Sequence, residues 1–108
     1  MTAKRIVPRE LARQDVDEAI QYYADEAGEG AALGFVDALE QAYRLIAARP
    51  ATGSPLHGHA LGLPGLRSRR LKRYPYMIFY IDRDDHVDVW RVLHEQRDIP
   101  ARMREPDR

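Results

Sequence analysis

The sequence predicts an α+β fold of two layers, a helical hairpin packed on an antiparallel sheet, in the order strand-helix-helix-strand-strand-strand. Two apolar series with helical spacing occupy residues 10–48, and three closely spaced β-like stretches occupy residues 66–94. Over 108 residues, 44% hydrophobic and 31% charged, there is apolar material for one core, and two layers are the simplest way to bury both the helix stripes and a sheet face.

Ile6 and Val7, stopped by Pro8, form a short extended segment, and a proline so placed suits an edge strand. From Glu10 to about Ala27, Leu11, Val16, Ala19, Ile20, Tyr23 and Ala27 recur at spacings near three and four, with carboxylates between them, so an amphipathic helix is predicted. Gly28-Glu29-Gly30 interrupts it. From Ala31 to about Ala48 the series Phe35, Val36, Leu39, Ala42, Tyr43 and Ile46 repeats the pattern, which makes a helical hairpin. Arg44 and Arg49 favour the negative end of that second helix, and Pro50 closes it.

Residues 51–64 carry Gly53, Pro55, Gly58, Gly62 and Pro64, which reads as a surface loop without regular structure. Leu66–Lys72, Tyr76–Asp82 and Val87–His94 are β-like. Tyr74-Pro75 turns between the first two, and Asp82 to His86 is a tight polar link between the last two, so these three form an antiparallel meander. Ile78, Tyr80, Val89, Trp90, Val92 and Leu93 are the sheet's candidate core residues. One domain is expected over residues 1–98. Residues 99–108, charged and containing Pro100 and Pro106, read as a partly disordered tail.

The absence of cysteine excludes a disulfide framework, a thiolate zinc site and cysteine catalysis. No apolar run approaches the length that spans a bilayer, and Met1 to Pro8 lacks the apolar stretch of a signal peptide, so a cytoplasmic protein with no membrane partner is expected. Seventeen basic residues balance seventeen acidic ones, which argues against nucleic-acid binding by bulk positive charge. The balance is uneven along the chain: between Arg9 and Glu40 nine carboxylates stand against two arginines, and Arg67-Ser68-Arg69-Arg70-Leu71-Lys72-Arg73 carries much of the compensating charge. Such a basic stretch suits either plain solubility or an acidic partner.

Taken together, Ala12 through Asp15, Ile20 through Tyr23, Phe35 with Leu39, Pro50 with Gly53, Leu66-Arg67, Tyr74-Pro75-Tyr76 with Phe79-Tyr80, and Val92-Leu93-His94 followed by Arg97-Asp98 resemble the ParE branch of the ParE/RelE toxin superfamily. The resemblance covers nearly the whole chain. It implies a bacterial toxin neutralised by a cognate ParD-like antitoxin in a heteromeric complex, with DNA gyrase as target and no sequence-specific DNA binding by this chain. RelE-type relatives instead cut messenger RNA on the ribosome.

RNA cleavage through the 2′-hydroxyl needs a base, an acid and cations around one phosphate. The candidates for that alternative are His94, Tyr80 and Arg69, with the other arginines as clamps. Strand alternation puts Arg67 and Arg69 opposite Arg70, and groups Trp90, Val92 and His94 opposite Val89, Arg91 and Leu93 unless a bulge intervenes, which separates Arg91 from His94. The lysine-rich part of the RelE-type set is missing, since Lys4 and Lys72 are the only lysines. The preferred reading is therefore a binder with no catalytic residues. Target or antitoxin contacts fall to Arg67, Arg69, Arg70, Arg73, Arg91, His94 and Arg97, and the antitoxin groove to Tyr22, Tyr23 and Tyr43. A third class is an inert member that only holds an antitoxin.

His57-Gly58-His59 lacks further ligands at metal-binding spacing and reads as solvated loop histidines, so no metal is expected. Gly28, Gly30 and Gly34 lack phosphate-loop spacing, and no cofactor is expected.

Overall fold

The computed structural model describes residues 3–106. Strand β1 (Arg5–Pro8) leads into helices α1 (Glu10–Ala27) and α2 (Glu29–Ala48), a 3₁₀ turn (Pro50–Thr52) and the short helix α3 (Leu56–Leu61). Strands β2 (Leu66–Arg70), β3 (Tyr76–Asp82) and β4 (His86–His94) follow, and α4 (Ile99–Met103) closes the order. Two details of the termini lie outside the described residues: Met1 and Thr2 of the segment read as lacking a signal peptide, and Asp107 and Arg108 of the tail.

One residue separates the two long helices. Gly28 adopts φ +93, where a side chain would be strained, and its carbonyl accepts from Ala31 and Ala32, so it ends α1 and starts α2 at once. Gly30, expected to be part of the interruption, lies inside α2. The hairpin packs on one face of the sheet: Ala12 and Ala19 of α1 and Phe35, Leu39, Ala42 and Ile46 of α2 meet Tyr76, Ile78, Tyr80, Val87, Val89 and Val92. Alanines at the contact of α1 let its backbone approach the strands closely.

The sheet order is β1-β4-β3-β2. The meander β2-β3-β4 is antiparallel as expected, and β1 joins it in parallel along the lower half of β4, Arg5 opposite His86 to Pro8 opposite Val89, so the whole sheet is mixed. Pro8 ends the edge strand, where its missing N–H costs nothing. In β4 the register slips: Phe79 faces Arg91 while Tyr80 faces Val89, which leaves Trp90 as an extra residue. This bulge corrects the simple alternation. Val89 and Val92 share the helix-facing side, and Trp90 packs with Phe79 and Leu93 on the opposite one.

That second face has its own small core. Leu66, Phe79 and Leu93 are covered by Leu61 of α3, by Leu63 just after it, and by Ile99 and Met103 of α4. Two expectations are revised here. The glycine- and proline-rich segment contains α3, ended by Gly62 in the left-handed conformation at φ +66, and Ser54 pairs with Ser68 on the outer edge of β2. The first residues of the tail form α4, capped by the Asp98 carboxylate, which accepts from the Ala101 N–H at 3.3 Å. In both cases a few apolar residues bury enough surface to order a segment whose composition disfavours order.

Candidate functional site

Asp15 of α1 and Arg91 of β4 form a buried ion pair at the centre of the candidate site. The ladder between β1 and β4 stops at Val89, where the Arg9 N–H makes the last bond at 2.9 Å. Above it the edge of β4 has no strand beside it among the described residues. Asp15 takes that place. Its carboxylate accepts the Val92 backbone N–H at 3.0 Å and two bonds from the Arg91 guanidinium, both 2.7 Å. Arg91 also donates to the carbonyl of Arg102 at 2.7 Å, which ties α1, β4 and α4 together. Both side chains are buried. The Asp15 hydrogen bonds push the Arg91 pKa up, against a burial cost, so this guanidinium stays charged.

Around this pair a cleft of about 240 Å³ is lined by Glu18, Tyr22, Tyr76, His94, Arg97 and Arg102. His94 lies edge-on to Tyr76 at 5.2 Å, and its Nδ1 accepts the Gln96 N–H at 3.1 Å, so the neutral ring carries its proton on Nε2. Burial raises the Tyr76 pKa, and the charge of Arg97 opposes that rise. Arg91 and His94, separated by strand alternation, therefore border one cleft after all. Arg91 reaches it around the open edge of β4, but each of its three nitrogens already donates to an acceptor within the fold.

The basic residues of β2 divide by partner. Arg67 donates to the Gly53 carbonyl at 2.8 Å and Arg69 to the Thr52 hydroxyl at 3.4 Å, so both brace the loop after α2. Arg70 points to the other face and pairs with Glu95 at 2.7 Å. Arg73 lies beyond β2 in the exposed link to β3, with φ +71.

Tyr80 is fully buried. Its hydroxyl donates to the Pro50 carbonyl at 2.6 Å and accepts the Gly53 N–H at 3.0 Å. A Cβ at position 53 would overlap that hydroxyl, so the Pro50 and Gly53 pattern is explained by this one contact. Burial raises the Tyr80 pKa, countered by the Gly53 hydrogen bond and by Arg67 and Arg69. Tyr76 is the residue opposite His94, and Tyr80 lies four residues further along β3, about 13 Å away at the usual strand rise. His94, Tyr80 and Arg69 are thus not brought together.

Of the three tyrosines, Tyr22 has an exposed ring. Tyr23 stacks on Phe35, meets Tyr74 edge-on and lies at a tilt to Tyr76. Tyr43 has its pKa pushed up to about 12 by burial, with Arg13 opposing and Asp15 adding to the rise. His57, expected in solvent, is half-buried edge-on to Phe79 at 5.2 Å. Among the described residues no three metal-ligating side chains come together.

By residue type alone Asp15 does not stand out as a functional side chain, because it sits among many helix carboxylates. Its signal is position: Asp15 lies three residues after Ala12 and four before Ala19, inside the stripe that faces the sheet.

A family model described as ParE toxin of type II toxin-antitoxin system, parDE, matches residues 6–99. Among solved structures, a chain of the "Chromosomal ParDE TA system from P. aeruginosa" superposes with a TM-score of 0.72 at 18% identity, over 85% of this chain and 96% of that one, a likeness of fold. A search of curated proteins found no match. With a match that runs from β1 to the start of α4 over the elements just described, the chain belongs to the ParE toxin family of type II toxin–antitoxin systems.

Proposed function

We propose that this protein is a cytoplasmic toxin that inhibits DNA gyrase by binding it, without chemistry of its own, and that a ParD-like antitoxin silences it. The observation that carries this reading is the state of the proton-bearing groups. The Tyr80 hydroxyl is held between two backbone groups in the core, and the Arg91 guanidinium is engaged through each of its three nitrogens by Asp15 and the Arg102 carbonyl. An RNA-cleaving site needs such groups turned toward one phosphate. The match to the ParE model supports the same branch, and among the described residues no helix is long and apolar enough to cross a membrane.

Purified protein is expected to inhibit gyrase supercoiling at concentrations comparable to those that arrest growth. In parallel, ribosomes programmed with messenger RNA should leave the message intact in its presence. Codon-specific cuts that disappear in a His94→Ala variant would replace the binding reading with the RelE-like one.

A further inference from the structure

We infer that the groove between α2 and the β2–β3 link receives an acidic, partly apolar segment of the antitoxin, with Arg44, Lys72 and Arg73 as its charge contacts. The inference rests on the antitoxin reading above and adds the place and the chemistry of contact.

Two depressions of about 440 and 310 Å³ share Ala38, Gln41 and Lys72, and so form one continuous groove. Its floor is apolar on the α2 side: Ala42 is buried, and Leu45 stands 48% exposed. Its rim is basic. Arg69 and Arg70 border it but have partners within the fold, whereas the side chains of Arg44, Lys72 and Arg73 make no hydrogen bond or ion pair among the described residues.

Arg73 adds an independent argument. It is the one non-glycine residue with positive φ among those described, at +71, an exposed position where glycine would sit without strain. Backbone strain retained at an exposed arginine that bonds to nothing in the fold points to a use outside the fold. Asp37 and Glu40 line the same groove. They oppose a uniformly anionic phosphate backbone and fit a peptide whose carboxylates lie toward Lys72 and Arg73 while its apolar side chains cover Leu45.

Binding of the cognate antitoxin, measured by calorimetry at low and moderate salt, tests this. A Lys72→Glu/Arg73→Glu double variant is expected to weaken binding by at least about tenfold and to flatten its salt dependence. Leu45→Asp should weaken it independently, and Arg5→Glu on β1 should leave it unchanged. Arg73→Gly should raise the thermal midpoint while weakening binding, a pair of effects that a purely structural role would not produce. Groove variants that keep the wild-type thermal midpoint and bind as tightly as wild type would overturn the inference and leave the antitoxin reading standing. Wild-type protein that binds no antitoxin would overturn both.

Discussion

Asp15 accepts three hydrogen bonds from the stretch of β4 that lies beyond the end of β1, so its loss strands a buried guanidinium and an edge N–H together. Asp15→Ala is expected to cost about 3–5 kcal/mol in denaturant unfolding, the usual size for a buried pair broken on one side. Replacing both partners, Asp15→Leu with Arg91→Met, should cost far less, because no uncompensated charge remains. Asp88 gives the pH counterpart. Burial acts to raise its pKa, but bonds from Arg9 and Arg83, the Arg9 charge and the Trp90 N–H together hold it below the usual carboxylate value. Its unfolded pKa is about 3.9, so near and below that pH the unfolded chain binds more protons than the folded one. The stability Asp88 contributes is therefore complete above about pH 4 and is lost as acid reaches the lower folded value. Asp88→Asn should flatten the acid limb of the stability curve in that window.

Helix α4 shows how a short segment is ordered by contacts at both ends. Ile99 and Met103 are buried against Phe79 and Leu93, Asp98 caps the first turn, and the Arg102 carbonyl takes the third Arg91 donor. Five residues could not hold a helix alone. Met103→Ala is expected to destabilise the fold by about 2–3 kcal/mol, checked by thermal or denaturant unfolding. The bulge at Trp90 works on the same scale. It lets β4 serve the helix-facing core through Val89 and Val92 while its opposite face keeps Trp90 under the Arg9 guanidinium, 4.1 Å from the ring.

Across the whole molecule, acidic helices and a basic β2 region cancel to zero formal charge, with an isoelectric point near 6.9. Free toxin should therefore be least soluble near pH 7 and gain solubility on moving to either side, measurable by precipitation at graded pH. The same separation of charge means that the net value says little about partners, since Arg44, Lys72 and Arg73 act locally beside Leu45.

Periodicity alone located the long elements: α1 and β3 have the predicted limits, and α2 and β4 differ from them only at their starts, because apolar spacing of 3.6 or 2 is a local property of the chain. The order of parts and the family resemblance were likewise readable without coordinates. Pairing and partners were not. The parallel seat of β1, the slip at Trp90, the burial of Ile99 and Met103, and the meeting of Asp15 with Arg91 across 76 positions of sequence depend on contacts between distant segments. Whether a given arginine is spent inside the fold, like Arg67 and Arg91, or left for another molecule, like Arg73, is a matter of which acceptor lies within about 3 Å, and only the folded chain sets that distance.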